Sequence, residues 1–478
     1  MSIDLPNPSF RADQRQRTHF RRLSLSIIVI LGVVASGLGV VNATQGPRVS
    51  NTEMNLQALI SRAGQRVLVH TNQPLADVPV GDVVVSPATD AEVSVSQNTV
   101  TVTFASMLDY GTEYVVSIDT RGATTGINAT LEVRFTTPDI AVYSLQRDTG
   151  QTASGEDQPD RILRKSIPNG SESESVFEAP RIQDYVTLNN LLAVVTLDED
   201  DNPALTVASL TDGVQMPISV PGAKTIRNLH AASSGDLFGY ILNAGYGNPD
   251  GPQNALYLYD FTSGSAVPKE VVGFGGEALP VMDWTFVPGT TSIVVHSEDL
   301  QLYLIDTLSD EEPTPLGQHV EMRGFIPGTV QLIVADPLTG STIDLATGVT
   351  EAFDLPVPNL PDTLYPGKLV LLTENSYIQE YTEIKPGATS NDLTSVIVAT
   401  GPDGDRELYR TTSPGTTIRD YCLSPNGEYL AVEVISSEGT PDFYPIVNGY
   451  SASSVSFVKL TDGASDRGIN GFLPDWCR

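Results

Sequence analysis

The feature that most constrains the fold is a recurring unit of two apolar stretches separated by a tight turn. The last copy reads "DYCLSPNGEYLAVEV", with Asn426-Gly427 at the turn and alternating apolar and polar residues after it. Pro-Gly and Asn-Gly pairs supply the fixed and the positive φ values that a hairpin needs. Five copies precede it at intervals of about 40 to 60 residues: "YVTLNNLLAVV", "LHAASSGDLFGYIL", "MDWTFVPGTTSIVV", "MRGFIPGTVQLIV" and "DTLYPGKLVLL".

A third strand and a shorter fourth stretch follow most of these pairs, as in "ALYLYDFTSG" and then "KEVVGF". Four strands in a repeat of about 45 residues are typical of a β-propeller blade. The sequence therefore predicts a β-propeller over residues 139–478.

The two ends of this region predict how the ring closes. Residues 141–180 contain the second, third and fourth strands of a blade but no first strand, whereas "INGFLPDWCR" at the C-terminus matches the first-strand pattern. We therefore expect a seven-bladed propeller closed by the C-terminal strand, which pairs both edges of the ring.

The region before the propeller has a different spacing. Residues 54–138 contain short alternating strands about ten residues apart, including "NTVTVTFA" and "LEVRFTTP". This spacing is typical of a β-sandwich. The predicted fold class is all-β, a sandwich followed by a propeller.

The N-terminus indicates export. Residues 1–22 form a basic tail with five arginines, and residues 23–41 are nineteen positions without a charge, which can just cross a bilayer as one helix. Because the arginines lie on one side only, we expect a single-pass transmembrane anchor in the cell membrane. The N-terminus would be cytoplasmic and the bulk extracellular, beginning with a linker at residues 42–53. A cleaved export signal is the alternative.

Charge excludes one class of partner. Beyond residue 22 the chain carries 22 basic against 56 acidic residues. Such a surface repels phosphate backbones, so we expect no nucleic acid partner.

The two cysteines bear on ring closure. Cys422 lies in the last copy of the repeat and Cys477 beside the closing strand. Cysteine pairs outside the cytosol usually form disulfides. We expect a disulfide that links the two ends of the ring, with two buried free thiols as the alternative.

Two resemblances follow from these motifs. "MLDYGTEYVVSI" with "LEVRFTTP" resembles bacterial Ig-like modules of the SbsA or Big type, and "LSPNGEYLAVEV" resembles the WD40-like repeats of the exported TolB family. Three of the six copies have Pro-Gly without the preceding Ser of the TolB pattern. Together with the predicted anchor, these resemblances imply an envelope protein of the actinobacterial type.

Catalytic motifs are missing from the sequence, and we expect no cofactor. Neither HExxH, nor a Walker loop, nor GxSxG occurs. The acidic stretches "LDEDDNP" and "LSDEEP" do not have the alternating ligands and central glycine of a calcium loop. We interpret them as solvated hairpin loops and expect no metal.

Long loops between the second and third strands indicate a binding face. They are elaborated in five consecutive blades and short in the fourth and fifth, and loops of this length often bind partners. Their aromatic side chains are the predicted ligand-binding residues, with packing onto the blades as the alternative: Tyr246, Tyr377, Tyr381, Phe443, Tyr444 and Tyr450.

These observations predict a non-enzymatic, membrane-anchored scaffold or ligand-binding propeller of the cell envelope, which binds protein or glycan on one face. An enzyme is the alternative, a propeller hydrolase or lyase, because Asp283, Arg323 and Asp420 stand near the predicted channel mouth. A third possibility is an adhesin.

Overall fold

The computed structural model describes most of the chain from residue 45 onward. The described residues are 20, 23–34, 45–76, 83–147, 158–167, 172–220, 222–233, 235–245, 247–262, 267–337, 339–389, 392–461, 463 and 465–477. They form two compact units. Unit 1 contains the described residues up to Leu56, with Gly64–Ala105 and Glu113–Thr136, and unit 2 contains Gln57–Ala63, Ser106–Thr112 and the chain from Thr137 onward.

The predicted membrane anchor is wrong. Helix α1 covers residues 23–34, whereas residues 35–41 of the predicted span lie outside the described part of the chain. Among the described residues, no helix is long and apolar enough to cross a membrane.

Unit 1 contains two antiparallel sheets whose strands bury one face. Phe104 of one sheet contacts Phe135 of the other, with ring centroids 6.4 Å apart. The first sheet has the order β1-β2-β5-β4 and the second β3-β6-β7. The strands are β1 (Val49–Met54), β2 (Arg66–Thr71), β3 (Val83–Ser86), β4 (Ala91–Ser96), β5 (Thr99–Phe104), β6 (Glu113–Arg121) and β7 (Asn128–Thr136), with helix α2 (Leu56–Ser61) between β1 and β2.

Unit 2 contains the sheets of a β-propeller. Among the described residues there are seven sheets, and strands consecutive in the chain pair within each one. We number the sheets 1 to 7 in chain order. Sheet 1 comprises β8 (Ala141–Gln146), β9 (Asp160–Ser166) and β10 (Glu174–Ala179). Sheet 2 comprises β11 (Ile182–Leu188), β12 (Leu191–Leu197), β13 (Pro203–Ser209) and β14 (Gln215–Ile218), and sheet 3 comprises β15 (Thr225–Ala231), β16 (Leu237–Asn243), β17 (Ala255–Asp260) and β18 (Lys269–Glu270).

The remaining four sheets follow the same order. Sheet 4 comprises β19 (Val281–Phe286), β20 (Ile293–Ser297), β21 (Gln301–Ile305) and β22 (Thr314–Gln318), and sheet 5 comprises β23 (Glu321–Phe325), β24 (Gln331–Asp336), β25 (Thr339–Asp344) and β26 (Thr350–Ala352). Sheet 6 comprises β27 (Leu364–Thr373), β28 (Ser376–Glu383), β29 (Thr394–Gly401) and β30 (Gly404–Arg410), and sheet 7 comprises β31 (Thr417–Leu423), β32 (Tyr429–Ile435), β33 (Ser453–Lys459) and β34 (Ser465–Asn470).

Apolar side chains pack between every pair of consecutive sheets. In the cluster between sheets 2 and 3, Val195 and Val207 pack with Phe238 and Tyr240, and comparable clusters join each later sheet to the next. Phe472 packs with residues of sheets 1 and 2. A further cluster joins sheet 7 back to sheet 1. The apolar clusters therefore connect sheet 1 through sheets 2 to 7 and back to sheet 1.

The C-terminal segment pairs with the first strand of sheet 1, as the sequence pattern predicts. The amide of Leu145 donates to the carbonyl of Phe472 at 2.8 Å, and the amide of Phe472 donates back at 2.9 Å. A Cβ at Gly471 would lie 2.4 Å from the carbonyl oxygen of Leu145, so this close approach requires glycine. The predicted disulfide is present, with the Cα atoms of Cys422 and Cys477 5.3 Å apart.

Candidate functional site

The first strand of each four-stranded sheet is interrupted by a β-bulge in its pairing with the second strand. In β11, β19 and β31 one residue has no counterpart on the second strand, as between Val281 and Asp283, whereas in β15, β23 and β27 two residues face one, as between Arg227 and His230. A bulge bends the strand and redirects side chains. Polar residues, including Arg323 and Lys368, lie at these bulges.

In three sheets the bulge places an aspartate directly before a large aromatic residue. The pairs are Asp184-Tyr185, Asp283-Trp284 and Asp420-Tyr421, and each carboxylate accepts a hydrogen bond from the next amide at 2.8 or 2.9 Å. All three aromatic side chains are buried. Each aspartate therefore fixes the backbone that orients the following ring.

Each of these rings donates a hydrogen bond to a backbone carbonyl beyond its own sheet. Trp284 Nε1 donates to Asn228 of sheet 3 at 3.0 Å, and the Tyr421 hydroxyl donates to Lys368 of sheet 6. The Tyr185 hydroxyl donates to Leu473 of the C-terminal segment at 2.6 Å. Leu473 of the C-terminal segment thus accepts the same kind of hydrogen bond that Asn228 accepts in β15 and Lys368 accepts in β27. Both Leu473 and Asn228 have a positive φ, 53° and 51°.

A carboxylate lies beside this junction. Asp475 accepts hydrogen bonds from the Tyr143 amide at 2.8 Å and from the Thr187 hydroxyl at 3.0 Å. Burial nevertheless raises the pKa of Asp475 to about 7, because removal from water disfavours the charged form. The C-terminal segment is therefore bonded to sheets 1 and 2 by a group that titrates near neutral pH.

The loop between β32 and β33, residues 436–452, is anchored by a buried arginine of sheet 1. We name it the Phe443 loop. Arg147 Nη1 donates to the Asp442 carboxylate and to the Val447 carbonyl, each at 2.8 Å. Its other nitrogens donate to the carbonyls of Ile182 and Gln183 at 2.9 and 2.8 Å. Four acceptors therefore surround one guanidinium, which satisfies the hydrogen bonding that burial demands.

Asp442 and Tyr444 connect this anchor to the tip of the loop. Asp442 accepts hydrogen bonds from the amides of Tyr444 at 3.2 Å and Gly449 at 2.9 Å. The Arg147 guanidinium lies 3.7 Å from the centre of the Tyr444 ring. The Tyr444 hydroxyl donates to Asp160 at 2.6 Å, and burial raises the pKa of Asp160 to about 6. Both ends of the loop tip are therefore fixed by buried polar groups.

Phe443 is at that tip and faces solvent. Its side chain is 83% exposed, and its φ of 58° lies in the left-handed region. A bulky residue in this region costs about 1–3 kcal/mol and is uncommon outside functional sites. Pro441, Pro445 and Ile446 nearby are also exposed. The loop thus presents an apolar surface on a rigid base.

The other predicted aromatic residues have different positions. Tyr377 and Tyr381 are buried side chains of β28, 3% and 4% exposed, so the structure corrects their placement on a loop. The stretch "YIQEYTEI" is a strand because aromatic and β-branched residues favour one. Tyr450 is half-buried in the Phe443 loop, where it pairs with Pro441. Tyr246 lies outside the described residues.

Sequence reasoning missed Arg147, Asp160 and Asp442. Arg147 and Asp442 are 295 positions apart in the chain, and no local pattern distinguishes them from other charged residues. A signal existed only for the loop itself, because its length and its aromatic residues indicated a binding element.

The residues considered for catalysis have separate hydrogen-bond and ion-pair partners. Asp283 accepts from Asn228 at 2.9 Å, Arg323 pairs with Glu321 at 2.8 Å, and Asp420 pairs with Lys368. In "LDEDDNP", Asp198 accepts hydrogen bonds from residues 200 and 202 of its own turn. Among the described residues, no group of three or more His, Cys, Asp or Glu side chains could hold a metal ion.

Comparisons with known proteins were made on sequence and on structure. No protein-family model and no curated protein matches the chain. Solved structures similar to it include the β-propeller domain of the trilobed protease from Pyrococcus furiosus, with 11% identity, 78% of this chain and 96% of that chain covered, and a TM-score of 0.42. TolB from Acinetobacter baumannii has 10% identity, 82% and 81% coverage, and a TM-score of 0.36.

A third similar structure is the Cps50 (Swd1) β-propeller domain from Myceliophteria thermophila, with 11% identity, 61% of this chain and 90% of that chain covered, and a TM-score of 0.35. Two of these three structures are β-propeller domains. The assignment of propeller sheets in this chain depends on its own strand order and packing.

Proposed function

We propose that this protein is a non-enzymatic binding propeller that docks a partner protein on the Phe443 loop. The observation that carries the proposal is Phe443 itself, an 83% exposed side chain at a left-handed φ. Burial of one phenylalanine side chain contributes about 2 kcal/mol. Aromatic anchors of this kind are frequent hot spots of protein interfaces.

The rigid base of the loop supports the same proposal. Arg147 and Asp442 form a buried ion pair at 2.8 Å, so the loop tip has its conformation before any partner arrives. A preorganised surface loses less conformational entropy on binding than a mobile one. The buried ion pair therefore offsets the backbone strain at Phe443, and the Phe443 side chain stays exposed for a partner.

A protein partner is favoured over a glycan because the surroundings of Phe443 are apolar. Pro441, Pro445 and Ile446 are exposed beside it, whereas sugar sites combine an aromatic face with several converging polar groups. Contiguous exposed apolar residues are typical of protein contact surfaces.

We infer that the seven sheets of unit 2 form one closed ring of seven blades, and that unit 1 is an Ig-like sandwich. The cluster between sheets 7 and 1 supports the ring, and so does the Tyr185 bond to Leu473. The stacked rings of Tyr114 and Phe135, 5.7 Å apart, support a packed sandwich core. The ring supplies a rigid scaffold for the Phe443 loop.

The proposal is tested by partner capture with an anchor variant. Immobilised full-length protein, Phe443→Ala and Val357→Ala are exposed to an extract of the native cells, and bound proteins are quantified by mass spectrometry. Val357 is 92% exposed at another position, so its substitution removes a matched apolar side chain. We expect at least one protein to be captured by wild type and by Val357→Ala but lost about tenfold with Phe443→Ala, since 1.4 kcal/mol corresponds to tenfold in affinity.

The captured partner is then purified and its affinity measured directly. Equal affinity of wild type and Phe443→Ala would contradict the proposal. Turnover of the partner or of envelope material by wild type, lost when Asp283 or Asp420 is replaced by Asn, would establish the enzyme alternative instead.

A further inference from the structure

A second surface feature, separate from the Phe443 loop, is a cleft between sheets 3 and 4. Its volume is about 260 Å³, and it is lined by Leu258, Val271, Ile305 and Pro313 together with the chain on either side of them. Leu258, Val271 and Pro313 are buried, and Ile305 is half-buried. The floor of the cleft is therefore apolar.

Hydrogen bonds fix the two loops that form the walls of the cleft. The Glu312 carboxylate accepts from the Gly275 amide, with the two oxygens at 3.1 and 3.3 Å. The Gly273 amide donates to Glu277 at 2.8 Å, and Asp306 accepts from the Leu308 amide at 3.0 Å. Two loops are thus fixed around the cavity.

The rim carries strong negative charge. Five carboxylates line the cleft against a single ammonium, Lys269, which gives a formal charge of −4. Lys269 lies 3.4 Å from Asp310, and both side chains are largely exposed, so solvent screens this pair and it neutralises little of the local field. The carboxylates are Glu270, Asp306, Asp310, Glu311 and Glu312.

We propose that this cleft binds a basic segment of a protein, with a branched aliphatic side chain in the cavity and neighbouring Lys or Arg side chains against the rim. The cavity is below the roughly 300–1,000 Å³ of sites that enclose whole ligands, so it suits a side chain better than a cofactor. Val272 lines the cavity and is partly exposed, and the partly exposed Phe274 beside it extends the apolar surface. Charge complementarity selects a basic segment, because an acidic one would face repulsion from every side of the rim.

The test uses two labelled peptides of opposite charge. The basic peptide is Gly-Lys-Leu-Lys-Leu-Lys-Gly and the acidic one is Gly-Glu-Leu-Glu-Leu-Glu-Gly, each carrying fluorescein, and binding to the full-length protein is measured by fluorescence anisotropy at 20 and 150 mM salt. We expect the basic peptide to bind more weakly at the higher salt concentration, since salt screens rim charges. Equal binding of the two peptides would overturn the proposal.

Matched charge variants separate the cleft from the acidity of the whole surface. Asp310→Asn with Glu311→Gln removes two rim charges, and we expect affinity for the basic peptide to fall about tenfold. Glu199→Gln with Asp200→Asn removes two charges from an acidic turn at another position, and we expect less than a twofold change. Equal losses in the two double variants would mean non-specific attraction and would overturn the proposal.

An uncharged variant tests the apolar part. Val272→Asn keeps the rim charge but places a polar group at the cavity wall, and we expect an affinity loss of about threefold or more. An unchanged affinity would overturn the seating of an aliphatic side chain. Phe443→Ala serves as a further control, because it removes the other proposed surface and is expected to leave peptide affinity unchanged.

Discussion

At the residue scale, Phe443 combines two properties that stability alone does not favour. It exposes a large apolar side chain, and it has a φ of 58°. Turn positions with positive φ are usually occupied by Gly or Asn. The chain uses glycine at many comparable positions, including Gly289 and Gly427, so the phenylalanine at this one requires a reason beyond the turn.

This argument predicts the stability of two truncated side chains at position 443. Phe443→Gly and Phe443→Ala both remove the ring, but only glycine is free of strain at this φ. We expect Phe443→Gly to be about 1 kcal/mol more stable than Phe443→Ala, seen in urea unfolding as a higher midpoint with unchanged slope. Equal midpoints would show that the loop backbone is not held in the left-handed region.

At the element scale, the first strands of the four-stranded sheets share a β-bulge, which the sequence does not reveal. Turns such as Asn426-Gly427 could be predicted, since Pro-Gly and Asn-Gly mark them locally, but the turn predicted within "DTLYPGKLVLL" is wrong, because Pro366 and Gly367 lie inside β27. The bulges could not, because a bulge depends on which residue is left unpaired by a neighbouring strand. The second strand of sheet 6 was also misplaced, because "YIQEYTEI" reads equally well as an insertion or as β28.

The repeated aromatic bond predicts a matched pair of substitutions. Tyr185→Phe removes a hydroxyl that donates to Leu473, and Tyr421→Phe removes one that donates to Lys368. Each leaves a carbonyl without that donor, so we expect each to lower the free energy of unfolding by about 1–2 kcal/mol. The two losses are expected to agree, because the C-terminal segment occupies the position of a first strand.

Tyr259→Phe provides the control for this pair. Tyr259 is a buried tyrosine of sheet 3 whose hydroxyl forms no hydrogen bond within the described part of the chain. We expect its replacement to change stability by less than about 0.5 kcal/mol. A neutral Tyr185→Phe beside a costly Tyr421→Phe would contradict the equivalence of Leu473 and Lys368.

At the scale of the whole molecule, the pairing of the C-terminal segment with sheet 1 could be predicted, because each end of the repeat region has only part of a blade pattern. The missing first strand at residues 141–180 and the extra one at the C-terminus are visible in the sequence, as is the cysteine pair that encloses 55 residues. A crosslink of that span is worth about 4 kcal/mol in chain entropy. The membrane anchor failed as a prediction, because it depended on hydropathy alone and no helix of the described residues is long and apolar enough to cross a membrane.

The C-terminal segment also contains a carboxylate, Asp475, whose titration makes the folding stability depend on pH. Burial raises the pKa of Asp475 to about 7, above the unfolded value near 3.9. Between these values the folded chain binds more protons at this position than the unfolded chain. Stability therefore falls as pH rises from about 4 to 7 and is constant above that range as far as this group is concerned.

Asp475→Asn tests this linkage because asparagine can keep both hydrogen bonds. Its side-chain oxygen can accept from the Tyr143 amide, and its amide can donate to the Thr187 hydroxyl, so no buried partner is abandoned. We expect the variant to match wild type below pH 4, to lose less stability between pH 4 and 7, and to be the more stable of the two at pH 8. The measurement is urea unfolding at pH intervals, with exposed Asp403→Asn as the control that leaves the slope unchanged. A variant that parallels wild type across this range would show that Asp475 is not held in its neutral form in the folded protein.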